Sequence, residues 1–569
     1  MHIQLIGCNG RYTHSTLSLF YLRRIFAAKI VRAKISIRQF TINDNYFETL
    51  ARITDQAADC SCFSVYIWNS ALLGRLLTDL SRLQPHTPLI IGGPEAAALA
   101  SRLNLDNLTL VTGEAEGLPH SFFTDLSKKS LKKSYQCREQ PTFSSPYCSE
   151  DFSRHLANRH IYYESSRGCP FSCAYCLSAQ TTGVRHLEVD QVKEELDLIL
   201  AHKPTIIRFI DRTFNALPER TVALWRHLLS LESETSFHFE IAPDLFTEEM
   251  FSLLAKVPAG KFQFEIGLQS SHAPTLAAVN RKMEVSRALA TIRRLASLDT
   301  VHLHVDLILG LPLDTEESYQ QTFNDLFATG CHYMQMGLLK VLPGTPLAQR
   351  RDDFALLAAG QPPYELLQNK WLSHARLKHF YWFGECVEKF YNTHFFKPLF
   401  RYLRQQRQNA FLFFMELTAA CHSKDFFRQA ATHELMSTLL AQLARQRPDR
   451  DTFLEILQLC WLYAGRRTLP SHLPFQDLKK NKAELYRRLP QNLPPYFSHP
   501  DRNHFFKQVE FGSFGAVAVN TLFACPGKEP RLICFMTAGK GTPKGQGQVV
   551  LVAADKASLV SSPSPQSRN

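Results

Sequence analysis

Glu164-Ser165-Ser166-Arg167-Gly168-Cys169-Pro170-Phe171-Ser172-Cys173-Ala174-Tyr175-Cys176 is the stretch that decides how this chain is read. Three cysteines spaced C-x3-C-x2-C, with the aromatic Tyr175 just before the last, lie between an apolar strand-like lead-in (Ile161, Tyr162, Tyr163) and a polar amphipathic helix. Thiolates bind both iron–sulfur clusters and zinc, so spacing and ligand count must separate the two. A structural zinc site closes with four protein ligands, whereas the nearest other cysteine, Cys148, lies well upstream with no partner beside it. Three ligands leave a position open, and a 4Fe–4S cluster held by three cysteines keeps one iron free for a substrate or cofactor. The plain alternative is three buried structural cysteines or an incomplete zinc knuckle.

Working outward, the strand and helix alternation that begins at Ile161 continues to about Leu347, and its strand ends carry the polar residues. A (β/α) barrel places its chemistry at such ends. Ile206 to Ile210 runs into Asp211-Arg212-Thr213-Phe214-Asn215, and Phe237 to Ile241, which contains Glu240, runs into Ala242-Pro243-Asp244. Phe262 to Leu268, with Glu265, ends in Gln269-Ser270; Val301 to Leu309, with Asp306, ends in Gly310-Leu311-Pro312. Tyr333 to Val341 ends in Leu342-Pro343-Gly344-Thr345-Pro346, a turn out of the barrel. A buried carboxylate at any one of these ends could instead cap a helix or pair with an arginine.

Upstream, His2 to Ile6, Lys34 to Thr41, Cys62 to Tyr66 and Pro88 to Ile91 read as strands separated by helical runs, the pattern of a doubly wound parallel sheet. A ligand of such a sheet sits beyond the carboxyl ends of the strands. The loops there are Asn9 to Ser15, Trp68-Asn69-Ser70, Gly92 to Glu95 and Thr112-Gly113-Glu114-Ala115-Glu116. Residues from about Phe123 to His160, rich in Lys, Ser, Pro and Tyr and containing Cys137 and Cys148, read as a linker.

The cysteine spacing resembles the radical S-adenosylmethionine (SAM) superfamily, whose signature is C-x3-C-x-aromatic-C. The resemblance implies that Cys169, Cys173 and Cys176 ligate a 4Fe–4S cluster and that SAM chelates the open iron. Its reductive cleavage then yields a 5′-deoxyadenosyl radical that abstracts a substrate hydrogen. Asp211 stands where the family has a Gly-Gly-Glu segment, here without the glycines. Glu240 resembles the third-strand polar residue near the SAM carboxylate or ribose. Glu265, Gln269 and Ser270 resemble a Glu-x-Gly-x-Gln-Ser motif, and Asp306 to Pro312 resembles the fifth-strand segment whose Gly310 backbone holds adenine. The N-terminal strands with Gly92-Gly93-Pro94 and Gly113-Glu114-Ala115-Glu116 resemble the cobalamin-binding domain that precedes the barrel in one large class of these enzymes. That likeness implies cobalamin as a further cofactor. The D-x-H-x-x-G loop of cobalamin mutases is absent, so His14 is expected to be a loop residue rather than a cobalt ligand.

The length of 569 residues fits roughly three domains. Expected are a Rossmann-like doubly wound domain at 1–122, the linker at 123–160 and a partial (β/α) radical SAM barrel at 161–350. A mainly helical C-terminal domain at 351–538 and a disordered tail at 539–569, rich in Gly, Pro, Ser and Lys, complete the α/β layout. Long aromatic helical runs occupy Tyr364 to Lys389, Phe395 to Phe414, Phe426 to Arg445 and Asp451 to Tyr463, with short β-like runs at Lys507 to Leu522 and Arg531 to Met536. Pro363-Tyr364-Glu365 and Tyr391-Asn392 resemble a bacterial subgroup with an uncharacterised C-terminal domain of its own.

The net charge of +12 is spread out, with clusters at Lys128, Lys129, Lys132 and Lys133 and at Arg401, Arg404 and Arg407. No recognition motif for nucleic acid accompanies them, so nucleic acid is not the expected partner. Scattered cysteines, an opening without a signal-peptide pattern and the lack of a long apolar run lead to the expectation of a soluble cytoplasmic protein with no membrane partner. The expected partners are a small-molecule or peptide substrate and an electron donor such as flavodoxin or ferredoxin. The reading is a radical SAM enzyme, cobalamin-dependent, carrying out methyl transfer or ring formation. Its competitors are a cobalamin-free enzyme such as an RNA-modifying methylthiotransferase-like protein, and a non-enzymatic metal-binding module.

Overall fold

Two parallel sheets, joined end to end through the cysteine stretch, organise the chain. The computed structural model describes residues 1–138, 142–180, 183–474, 476–488, 502–523, 529–536, 548–552 and 559–560. The first sheet contains β1 (His2–Asn9), β2 (Lys34–Thr41), β3 (Cys60–Ser64), β4 (Leu89–Gly92), β5 (Leu108–Thr112) and β6 (Ser134–Gln136). Its strands are all parallel in the order β2-β1-β3-β4-β5-β6. Apolar side chains cover both faces, as crossover helices require. Leu73, Leu76, Leu77 and Leu80 of helix Ser70–Leu83 pack on one side, and Phe26, Phe122 and Phe123 on the other. The strand order reverses between β1 and β3. There Asn69 donates to the carbonyls of Cys8 and Ser64, fixing the carboxyl ends of the two strands against each other.

The second sheet is built from β7 (Ile161–Tyr163), β10 (Ile206–Phe209), β11 (Ser236–Ile241), β12 (Phe262–Gln269), β13 (Val301–Leu309) and β14 (Tyr333–Leu338). These six strands lie side by side in chain order, all parallel, as half of a barrel. Between β7 and β10 the chain forms the antiparallel hairpin β8 (Ser166–Gly168) and β9 (Val184–His186), and the three cysteines lie between its two strands. The outer face of the half-barrel is aromatic: Phe239, Phe262 and Phe264 pack with Trp225 of helix Pro218–Ser230, and Phe237 packs on Phe239 and Phe262. Along β13 buried and part-exposed residues alternate without a break, so its second face is left for polar groups.

Three regions differ from the sequence reading. Residues 123–160 are not a plain linker. Helix His120–Ser127 and β6 complete the first sheet, and the short helix Ser149–Arg154 buries Asp151 completely beneath Arg23. Sparse periodicity hid these elements because each is under three turns long. Nor is residue 350 the edge of a core. Phe323 of helix Glu316–Thr329 packs directly on Phe383, Phe411 and Phe414, so the barrel and the helices beyond it share one apolar interior. Those helices are His374–Cys386, continued by the π-helical turn Val387–Tyr391, then Lys397–Gln405, Ala410–Ser423, His433–Ala444 and Arg450–Tyr463. They follow the short pair β15 (Leu357–Ala358) and β16 (Leu366–Gln368).

The β-like run expected at Lys507 to Leu522 splits into β17 (Val509–Phe514) and helix Ala516–Phe523. β18 (Arg531–Met536) follows, and β19 (Gln548–Val552) and β20 (Leu559–Val560) extend an antiparallel sheet into the stretch expected to be a disordered tail. The short apolar run Val549 to Val552 was outweighed there by the surrounding Gly, Pro and Ser; the rest of 539–569 lies outside the described residues.

Asp151 also accepts from the backbone N–H of Cys148, so its carboxylate holds both Arg23 and the turn into its own helix. Removing one partner of a buried ion pair leaves the other unpaired and costs about 3–5 kcal/mol. Asp151→Asn is expected to destabilise the chain by an amount of that order in urea unfolding. A change typical of a surface site, within about 0.5 kcal/mol, would return this segment to the status of a linker.

Candidate functional site

The cysteine loop is held from four directions. Behind it, Asp211 at the end of β10 accepts from the Ser165 N–H at 3.0 Å and from the hydroxyls of Ser165 (2.6 Å) and Ser166 (2.5 Å). Arg220 donates to the carbonyls of Ser165 and Leu187, where the hairpin opens and closes. To one side, Arg167 binds Glu114, Glu116 and Glu164 at 2.7–2.8 Å and lies over the rings of Tyr21 and Phe143. Within the loop, Gly168 adopts a φ of +98°, and a Cβ there would run into the backbone of Gly183. At the far end the backbone of Ala174 bonds to Val279 and Leu347, and Asn280 donates to the carbonyl and hydroxyl of Ser172.

Cys173 is buried and Cys169 and Cys176 half-buried. Cys169 lies 3.6 Å from the Thr213 hydroxyl, and Arg281 donates to the Cys173 sulfur at 3.6 Å while its other arm reaches the Gly267 carbonyl. Among the described residues no three His, Cys, Asp or Glu side chains are gathered closely enough to hold a metal ion. Cys148 caps helix Ser149–Arg154 and Cys137 is buried against Gly113, which leaves the loop with three donors. Three thiols beside a fixed guanidinium suit an anionic iron–sulfur cluster with one open iron better than a closed zinc site.

The inner face of the half-barrel is polar. Register places Glu240 beside Glu265 and Glu265 beside His304, with Gly267 beside Asp306 and Asp306 beside Gln335. His238 Nε2 lies 3.0 Å from Glu265, and His304 Nε2 lies 3.2 Å from Asp306. Several other buried atoms here have no hydrogen-bond partner: the Arg208 Nε, the His238 Nδ1, the Gln269 Oε1 and the Arg281 Nε. Unpaired buried polar atoms at this density are costly in a finished core and expected in a site that receives a polar ligand. Burial raises the Glu240 carboxyl to about 7; Arg212 at 3.9 Å opposes this, and Glu265, Asp306 and Asp211 add to it. Glu265 is held below its usual value by His238, against its burial. Burial pushes Asp306 up despite the opposing hydrogen bond from His304.

The six side chains expected to cradle SAM therefore divide. Glu240, Glu265 and Gln269 lie on the inner face, with Gln269 at a φ of +68° in a bulge of β12. Asp211, Ser270 and Gly310 do not. The Asp211 carboxylate bonds to Ser165 and Ser166 and is 1% exposed, which anchors the cysteine loop. Ser270 is fully buried, accepting from the His272 N–H beside Thr322. Gly310 packs beneath Leu366 and gives its carbonyl to Asn369. Adjacent motif positions on a strand end face opposite ways, and sequence alone does not say which way each turns. Sequence reasoning missed His238, His304 and Arg281. The first two were within reach, since His302-Leu303-His304-Val305-Asp306 alternates polar and apolar; nothing local marked Arg281.

At the carboxyl edge of the first sheet, Trp68 stacks on Tyr66 at 4.4 Å and is half exposed, beside a cavity of about 310 Å³ that includes Gly92, Gly93 and Gly113. Glu114 and Glu116, expected to belong to a corrinoid loop, are committed to Arg167. Gly93 serves a close approach to Val65, where a Cβ would fall 2.6 Å from a carbonyl. The Nδ1 of His14 pairs with the Tyr162 hydroxyl at 2.6 Å, and the neighbouring His160 has a partnerless Nδ1. A half-exposed Trp68 stacked on Tyr66 next to this cavity suits a large planar ligand at the sheet edge.

The fold is a parallel half-barrel carrying three cysteines on a hairpin at one end, and comparison with known proteins shows what its parts resemble. Residues 163–326 match the radical SAM superfamily, so the chain carries a radical SAM domain; residues 352–525 match a protein family of unknown function, DUF4080. The chain is 24% identical over 201 residues to the 2-(S-pantetheinyl)-carbapenam-3-carboxylate methyltransferase of Streptantibioticus cattleyicolor, a match covering 33% of this chain and 29% of that protein. It is 23% identical over 223 residues to the ribosomal protein uS12 methylthiotransferase RimO of Desulfitobacterium hafniense, covering 37% of this chain and 48% of the relative. The chain thus spans under half the length of these relatives. Its fold is similar to that of the cobalamin-dependent S-adenosylmethionine radical enzyme OxsB solved with aqua-cobalamin and S-adenosylmethionine bound, with a TM-score of 0.55 and 14% identity over 81% of this chain and 78% of that one.

A carboxyl raised from 4.5 to about 7 binds more protons folded than unfolded, so between those values stability falls as pH rises. The melting temperature of the full chain is expected to drop between about pH 5 and about pH 8, and Glu240→Gln to flatten that drop. A variant whose profile follows the wild type through this window would make Glu240 an ordinary carboxylate.

Proposed function

We propose that this protein is a radical SAM enzyme in which Cys169, Cys173 and Cys176 hold a 4Fe–4S cluster and the inner face of the half-barrel holds SAM and substrate. The observation that carries the proposal is the three-cysteine hairpin beside a strand face of carboxylates and histidines that also holds partnerless buried atoms of Arg208, Gln269 and Arg281, within the segment that matches the superfamily. When bound, the cluster supplies the electron that cleaves SAM, and cobalamin supplies a carrier for methyl transfer or ring formation.

The chain's own groups have separate tasks. Arg281, fixed between Cys173 and Gly267, places positive charge against the cluster and ties its loop to β12. Glu240, Glu265 and Asp306 favour the cationic ammonium and sulfonium groups of SAM. His238 and His304 hold Glu265 and Asp306 in place through their Nε2 atoms. The aromatic wall behind the strands excludes water from the other side.

Cobalamin would be held at the edge of the first sheet around Trp68 and Tyr66, where His14 is engaged by Tyr162. A small molecule or peptide is the proposed substrate, a flavodoxin- or ferredoxin-type carrier the electron donor and the reducing cytoplasm the setting. The cysteines described are all free, and among the described residues no helix is long and apolar enough to cross a membrane. The methylthiotransferase reading requires a second cluster on N-terminal cysteines. Cys8, Cys60 and Cys62 are buried within β1 and β3, which disfavours it.

Anaerobic reconstitution is expected to give about four irons per chain, near-stoichiometric corrinoid and 5′-deoxyadenosine from SAM under reduction. Cys173→Ala is expected to release no 5′-deoxyadenosine while its first sheet stays folded. Cleavage persisting in that variant would overturn the cluster assignment, zinc in place of iron would leave only the fold, and about eight irons would restore the methylthiotransferase alternative.

A further inference from the structure

The end of the half-barrel away from the cysteine loop opens into a cavity of about 720 Å³, well within the size of small-molecule sites. It is lined jointly by the starts of the last barrel strands and by the C-terminal helices. Arg293 comes from helix Val285–Leu298, and Lys397, Arg401 and Arg404 come from helix Lys397–Gln405. Against these four cations stands one lining carboxylate, Asp299, already shared between His332 Nε2 at 3.0 Å and Lys397 at 4.0 Å. Among the described residues none of the three arginines has a carboxylate within 4.0 Å. Arg401 makes a 3.4 Å contact with the Leu522 carbonyl, and Arg404 lies over the Phe327 ring at 5.9 Å.

Guanidinium groups brought together without counter-charge repel one another and lose hydration, and the usual resolution is an anion between them. Burial and the charge of Arg404 both lower the pKa of Arg401, the sign of a net positive field. The histidines of this cavity do not supply the compensation. His302 is held neutral, pushed down to about 3 by burial and by His332 and His394. His394 donates to the His332 carbonyl, and His332 accepts from the Leu303 N–H. Tyr391 and Tyr463 add flat walls that would accept the organic part of a ligand.

We propose that this cavity binds a small phosphate-bearing anion, a phosphomonoester or pyrophosphate, held by the forks of Arg401 and Arg404 with Arg293 at the rim. Guanidinium meets phosphate through paired N–H donors, and the cavity offers several such forks on one concave surface. The active site of a barrel lies at its other end, so this is a second site, made by the DUF4080 segment together with the barrel. It does not depend on the cluster assignment.

The test uses the full-length protein, with inorganic pyrophosphate and adenosine 5′-monophosphate as separate probes in thermal-shift and calorimetric titrations. Either probe at about 1 mM is expected to raise the melting temperature by several degrees with a saturable one-site isotherm. Arg401→Ala/Arg404→Ala is expected to abolish the shift, and Arg293→Ala to weaken binding about tenfold. Cys173→Ala is expected to retain it, separating this site from the cluster. Response to pyrophosphate alone would assign a free inorganic anion, and to the nucleotide as well a phosphate ester. If the double variant does not fold, Arg293→Ala and Arg404→Lys decide the question. Absence of any shift, or a shift that these variants leave unchanged, would overturn the proposal.

Discussion

Arg167 is the residue on which the geometry of this molecule turns. It sits on β8, two positions before the first cysteine, and its guanidinium is surrounded by Glu114 and Glu116 of the first sheet and Glu164 of the hairpin. Those carboxylates raise its pKa despite burial, so it remains charged. An ion network this buried adds little net stability, because desolvation offsets most of the Coulomb attraction. Its value is directional: three acceptors fix where a planar fork can lie, and the rings of Tyr21 and Phe143 fix which way it faces. Arg185, directly across the hairpin from Arg167, binds Glu114 as well. The two strands that hold the cysteine loop are thus both tied to the last loop of the first sheet, and the distance between the two halves of the site follows from them.

The C-terminal segment closes the same frame from the other side. Val341 and Leu366 exchange backbone bonds with Tyr364 and Leu339, so this segment runs on from the last barrel strand. Tyr364 then reaches back to the first sheet, donating to Glu95 and accepting from Arg102 at 2.7 Å. Leu366 and Asn369 cover Gly310. A segment that contacts the Gly-Gly-Pro-Glu loop, the end of β13 and the core around Phe323 is part of the frame that holds both sheets. That explains why its aromatic helices, Phe380 and Phe383 among them, share an interior with the barrel instead of having one of their own.

How much of this could be read from the chain depended on how local the cause was. Strand and helix order was legible because both periodicities are strong: Val301 to Leu309 alternates throughout, and Leu73, Leu76, Leu77 and Leu80 mark one helical face. The cysteine loop was legible because its spacing is itself the signal. Side-chain direction at strand ends was not, since a bulge at Gln269 or a tight turn at Gly310 re-aims its neighbours and depends on contacts more than fifty residues away, such as Asn369 to Gly310. Arg167 illustrates the remaining limit. It lies inside the deciding stretch, yet its partners Glu114 and Glu116 are identifiable only once the two sheets are brought together.

The half-barrel also carries an electrostatic gradient along a single strand. His302 and His304 lie on the same face of β13, about 7 Å apart. Burial drives both toward the neutral form, yet they end on opposite sides of the ordinary histidine value. His302 faces His332, His394 and Lys397, and is lowered to about 3. His304 is raised, because its hydrogen bond to Asp306 and the nearby Glu265 outweigh its burial. The field therefore changes sign between two neighbouring positions of one strand. On the inner side it favours positive charge, and at the opposite mouth, where the arginines gather, it favours negative charge. Because both histidines are largely withdrawn from solvent, salt screens this separation less than it would on the surface.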